Sequence, residues 1–189
     1  MISDALISAV RGYAYDQAKL YGVPSEMNIN LSNAKGQWLA HKLGADKNIV
    51  LVGTLLMDCE IGRAMKEKRL NDHVELSVEK SRELLSEWKD LTEAERENII
   101  ACVKQHHGSE KFYSLESEIC CNADCYRFAS VEGVIGNIRS WQGLSLEEMV
   151  SLLSSKADEK YGALSLEVCK KELEPQYTII KQFLTAFNE

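Results

Sequence analysis

Two prolines in 189 residues leave no room for the proline-rich linkers that separate domains or for long disordered arms. With apolar residues at 45% and charged residues at 27%, the chain has the balance of a globular protein and is expected to form one domain with a real core. No run approaches the roughly 18 to 20 apolar residues needed to span a bilayer. The start, Met1-Ile2-Ser3-Asp4-Ala5, has no basic region followed by an apolar block, so no membrane partner and a cytoplasmic location are expected. There is no Cys-x-x-Cys pair, which argues against zinc-ribbon chemistry and a disulfide framework. Cys59, Cys102, Cys120, Cys121, Cys125 and Cys169 instead read as free thiols, four of them inside apolar helical patterns. Adjacent Cys120 and Cys121 are not expected to face the core together. The net charge is −7 and no basic stripe exists, which argues against sequence-independent nucleic-acid binding. Lys66-Glu67-Lys68-Arg69 is the one basic cluster, either a solvated helix end or a hold for an anionic substrate. No glycine-rich phosphate loop is present, so substrate identity is not written in a nucleotide fingerprint.

What the chain does have is helical pattern nearly throughout. The expected helices run from about Ser3 to Tyr21, ended by Gly22, and from about Ser25 to Leu43, ended by Gly44. A third, about Lys47 to Met57 and capped by Asp46, carries Ile49-Val50-Leu51-Val52 and Leu55-Leu56-Met57 and should be buried around most of its circumference. A fourth spans about Asp72 to Lys89. Capping boxes at Thr92-Glu95 and Ser145-Glu148 open two more, and Ser114 and Ser165 are placed to cap others. Pro175 falls inside the last, which reaches about Phe187. Gly133 and Gly136 read as a turn. The expectation is an all-α, single-domain bundle of about nine helices.

Histidines and carboxylates recur at three separated places: Asp58, His73, and the pair His106-His107 followed by Asp124. Asp58 follows a strongly apolar helix, and a carboxylate buried there needs a divalent cation, a buried Arg or Lys, or a helix N-terminus. Asp124, between Ala123 and Cys125, poses the same problem. Imidazoles with carboxylates suit manganese, iron, cobalt, nickel or zinc better than calcium. Arg127, three residues after Asp124, can face the same pocket or pair with that carboxylate. His41 has no carboxylate context and reads as surface.

The succession Lys42-Leu43-Gly44-Ala45-Asp46, the apolar run to Met57-Asp58, His73, His106-His107-Gly108 and Asn122-Ala123-Asp124 resembles the HD-domain superfamily of metal-dependent phosphohydrolases. The resemblance covers about residues 25 to 130 and leaves a helical extension at about 145 to 187. It implies an all-helical bundle and a site of a first histidine, a histidine-aspartate doublet and a distant aspartate, with further histidines in members that bind two or more metals. Here the doublet reads Met57-Asp58, and Asn28 or Asn30 stands where the first histidine belongs. Methionine is a soft, weak ligand and asparagine offers a neutral carbonyl.

The first reading that follows is a phosphohydrolase of a small phosphorylated molecule or nucleotide. Asp58, His73, His106 and Asp124 would hold a divalent metal, and His107, Glu75 or Glu60 would take the proton of the attacking water. Lys66, Lys68, Arg69 or Arg127 would neutralise phosphate charge. The second is a catalytically degenerate domain that serves as a binding or interaction module. Three roles are open to the extension: covering the site, forming a homodimer surface, or completing the core.

Overall fold

The computed structural model describes residues 2–141 and 143–187. Among them are ten α-helices, one 3-10 turn and no strand. They are α1 (Asp4–Tyr21), α2 (Glu26–Leu43), α3 (Lys47–Leu56), α4 (Ile61–Lys66), the 3-10 turn Leu70–Asp72, α5 (His73–Ser86) and α6 (Glu93–Lys104). Then follow α7 (Leu115–Ala129), α8 (Val131–Ser140), α9 (Leu146–Gly162) and α10 (Glu167–Ala186). None of the helices described is long and apolar enough to cross a membrane.

Local chemistry explains most of the boundaries. Ser3, Ser25, Asp46, Thr92, Ser114 and Ser145 each accept a hydrogen bond from a first-turn amide, and Gly22 and Gly44 close α1 and α2 at φ 74° and 76°. The apolar run of α3 is buried as its composition predicts, with Val50, Val52 and Leu56 fully enclosed. The other central element is α7, which packs against α2, α3, α6, α8, α9 and α10. Because neighbours surround it, Cys120 and Cys121 are both buried, correcting the expectation that only one could face the core. A second apolar cluster, including Phe128, Val134, Leu153 and Leu184, joins α7 to α8, α9 and α10, so the C-terminal helices extend the core.

Two boundaries differ from the sequence reading. Gly133 and Gly136 do not form a turn. They lie inside α8, which Ser130 caps by accepting from the Gly133 amide at 3.1 Å. Gly133 serves close approach: a Cβ there would sit 2.4 Å from the Tyr126 carbonyl oxygen and 2.5 Å from that of Arg127. Ser165 does not cap α10 either. Its amide and that of Leu166 donate to Asn122 Oδ1 on α7 at 3.2 and 3.1 Å, so a side chain of another helix does the capping. Pro175 is accommodated within a continuous α10.

Gly133→Ala is expected to lower stability by about 1–3 kcal/mol, since backbone carbonyls cannot yield as a side chain can. Gly12→Ala on α1, where nothing lies within 4 Å of the added carbon, should raise it by about 1 kcal/mol. Urea denaturation of the two variants beside wild type checks both signs.

Candidate functional site

The ends of two helices, the start of a third and the middle of a fourth meet at one cavity of about 580 Å³. Asp58 lies just past α3, His73 opens α5, His106 and His107 follow α6, and Asp124 and Arg127 occupy successive turns of α7. All four ligand atoms offered by Asp58, His73, His106 and His107 lie within 4.8 Å of one another.

Backbone carbonyls set the imidazole protons. His106 Nδ1 is 2.7 Å from the Val103 oxygen and His73 Nδ1 is 2.7 Å from that of Leu70. A carbonyl only accepts, so in the neutral rings Nδ1 carries the proton and Nε2 presents a lone pair. His106 Nε2 stands 3.3 Å from Asp58 Oδ1, and His73 Nε2 stands 3.6 Å from the same oxygen. Asp58 Oδ1 and His106 Nε2 are buried and receive no hydrogen bond. Two unpartnered electron pairs, on Asp58 Oδ1 and His106 Nε2, thus meet beside that of His73 Nε2, which accepts from His107; with that proton given up, the three are the donor set a divalent transition metal takes. Histidines held through their other nitrogen by a carbonyl are the usual supports of such a site. By this test Asp58, His73 and His106 fit a metal.

His107 is bound differently. Its Nδ1 lies 2.8 Å from Lys160 Nζ, an ammonium that can only donate, which leaves the proton on Nε2 and directs it to His73 Nε2 at 2.9 Å. Burial, with His106 and Lys160 alongside, pushes the His107 ring down to about 4, so it is neutral at pH 7. To become a fourth ligand it must move its proton to Nδ1, against Lys160.

Asp124 does not join this cluster. Arg127 Nη1 donates both to Asp58 Oδ2 and, at 2.7 Å, to Asp124 Oδ1, while Lys160 Nζ stands 2.6 Å from Asp124 Oδ2. The last is a contact of opposite charges without hydrogen-bond alignment, since Oδ2 receives no hydrogen bond. All four groups are buried. Burial by itself would raise both carboxyls. Arg127 with His106 holds Asp58, and Lys160 with Arg127 holds Asp124, well below the usual carboxylate range.

The remaining candidates lie elsewhere. Lys66 is exposed at the end of α4, its ammonium 5.7 Å from the centre of the Tyr21 ring, and does not line the cavity. Arg69 pairs with Asp72 at 2.9 Å on the surface, and Lys68 and Glu75 are exposed. Glu60 is buried but accepts from Tyr13 and pairs with Arg63 at 3.2 Å, so it is committed away from the histidines. Met57 is buried, and Asn28 lines the cavity with a fixed amide. Asn137 Nδ2 donates to the Arg127 carbonyl at 2.8 Å, so Asn137 Oδ1 accepts from Asn28 Nδ2 at 2.9 Å, leaving Asn28 Oδ1 without a partner.

Sequence reasoning missed Lys160 and, beside it on the cavity wall, Lys156. A signal was present. Val150, Leu153, Ala157 and Lys160 follow one another at helical spacing along the buried stripe of α9, and a lysine on such a stripe needs an anion.

Similar folds occur among solved structures. A predicted HD superfamily hydrolase from an uncultured Thermotogales bacterium aligns over 95% of this chain and 90% of its own, at TM-score 0.67 and 16% identity. A Lactobacillus plantarum protein aligns over 100% and 97%, at TM-score 0.71 and 18% identity. Bacillus subtilis YpgQ aligns over 97% and 94%, at TM-score 0.64 and 13% identity. The chain therefore shares the fold of these proteins, one of which is described as a predicted HD superfamily hydrolase. No family model and no curated protein sequence matches it.

Proposed function

We propose, from that fold and this site, that the protein is a divalent-metal-dependent phosphohydrolase of a small phosphate ester or nucleotide. One observation carries the reading: the unpartnered acceptors of Asp58 and His106 converge with His73 Nε2 beside a wall of Arg127, Lys156 and Lys160. A donor set of two imidazoles and a carboxylate suits manganese, iron, cobalt, nickel or zinc. When bound, such an ion supplies Lewis acidity toward a phosphoryl group. Lys156 lies outside the buried quartet that holds Arg127 and Lys160 on Asp58 and Asp124 and would offer positive charge toward phosphate oxygens, and the aromatic wall of Tyr21, Phe128 and Trp141 offers apolar surface to the rest of the ester. His107 is neutral and donates to the same His73 Nε2 that would hold the metal, so its part would be to give that proton up as the ion binds and to exchange it at the cavity rim.

A second reading, a domain that binds its ligand without turnover, is favoured by the Arg127 bridge between Asp58 and Asp124. Elemental analysis of wild type and His106→Ala, with phosphate release from a generic ester in added manganese, cobalt or nickel, separates the two. The hydrolase reading expects about one metal per chain, lost in His106→Ala, and metal-dependent release. Metal bound with no release over a range of esters favours the binding module; no metal after loading sinks the hydrolase.

A further inference from the structure

Two cation seats meet at Asp58. Its Oδ1 faces His73 and His106, and its Oδ2 faces Asp124 across a gap that the Arg127 guanidinium fills. The first seat fits a metal on the grounds given above. The second does not, because Arg127 Nη1 already bridges the two carboxylates and Lys160 covers the outer oxygen of Asp124. The nearby groups that could serve a metal there are poor ones. Met57 is a buried thioether, and Asn28 brings a single neutral oxygen fixed by Asn137.

We propose that Arg127 is a tethered replacement for a metal ion in the seat between Asp58 and Asp124, so that this chain holds one ion fewer than its two carboxylates would otherwise take. Charge supports the assignment. Asp58 and Asp124 contribute −2, Arg127 and Lys160 contribute +2, and the buried quartet is neutral without any ion. A divalent cation in place of Arg127 would have to displace a guanidinium that is buried, hydrogen-bonded to both carboxylates and carried three residues from Asp124 on the same helix. Removing the guanidinium leaves two buried carboxylates with Lys160 as their remaining cation, and their hard oxygens then recruit a divalent ion.

The inference shares the metal reading of the Asp58, His73 and His106 cluster only for the absolute number of ions; the increment on removing Arg127 is independent of it. Wild type, Arg127→Ala, and Arg127→Ala with Asp124→Ala are dialysed against excess Mn²⁺ and their metal content measured, with helical signal and thermal melt as the check on folding. Arg127→Ala is expected to bind about one Mn²⁺ more than wild type, and the double variant to return to the wild-type number. A folded Arg127→Ala with the wild-type number overturns the proposal, as does an exchange-coupled dimanganese EPR signal from wild type. If Arg127→Ala is unfolded without metal, recovery of helical signal and a cooperative melt on adding Mn²⁺ is the expected result, and no recovery overturns it. Wild type that binds no Mn²⁺ while Arg127→Ala binds one would sink the proposed hydrolase and leave this inference standing.

Discussion

Asp58→Ala is expected to abolish metal binding and to destabilise the fold by about 3–5 kcal/mol, the range for breaking one partner of a buried charge pair. Both effects come from one carboxylate because its two oxygens serve different neighbours. Oδ1 faces the Nε2 atoms of His73 and His106, and Oδ2 accepts from Arg127. Alanine therefore removes a proposed ligand and leaves a buried guanidinium with Asp124 as its remaining anion. Asp58→Asn keeps the volume and removes the charge, so the difference between the two variants isolates the cavity contribution. Elemental analysis reads the first effect and urea denaturation the second. An alanine variant as stable as wild type would mean that Asp124 alone satisfies Arg127.

Lys160→Met should cost about 3 kcal/mol at neutral pH and should flatten the dependence of stability on pH at both ends. The two members of the pair act in opposite directions. Burial would raise the Asp124 carboxyl, but Lys160 and Arg127 hold it well below its ordinary 3.8. A depressed acid contributes stability above its unfolded value, and that contribution is lost as the pH falls through the folded one. Burial would lower the Lys160 ammonium, but Asp124 raises it above its ordinary 10.5. A raised base contributes stability below its unfolded value and loses it as the pH rises through the folded one. Across the neutral range both contributions are complete. Methionine keeps most of the apolar stem of this buried side chain and removes the charge. The alkaline loss should therefore disappear, and the acid loss should shrink without vanishing because Arg127 still faces Asp124. Urea denaturation from about pH 2 to about pH 11 measures both limbs. A variant whose alkaline limb matches wild type would show that Lys160 is not the group that titrates there.

The arrangement also explains why α9 belongs to the site. The resemblance seen in the sequence stops before this helix, yet α9 delivers Lys160 to both His107 and Asp124 and places Lys156 on the cavity wall. The C-terminal helices therefore do two of the things open to them: they extend the core through Leu153, Ile180 and Leu184, and they cover the site.

Sequence alone determined the helices and most of their ends, because a cap and its amide lie within three residues of each other and an apolar face repeats every turn. Asp46, Thr92, Ser114 and Ser145 do what their positions predict. It also singled out Asp58, His73 and His106-His107, since a carboxylate after an apolar helix and an adjacent histidine pair are costly to bury without partners. It brought Arg127 to Asp124, an i,i+3 pair on one helix. Only the tertiary structure decided that the same arginine reaches Asp58, 69 residues away, and that Asn122 caps a helix from across the bundle. The same packing set Asp124 apart from the histidines and brought His107 to Asp58, His73 and His106. These choices turn on how helices pack, and a charge on a buried face states that it needs a partner without stating which distant helix brings one.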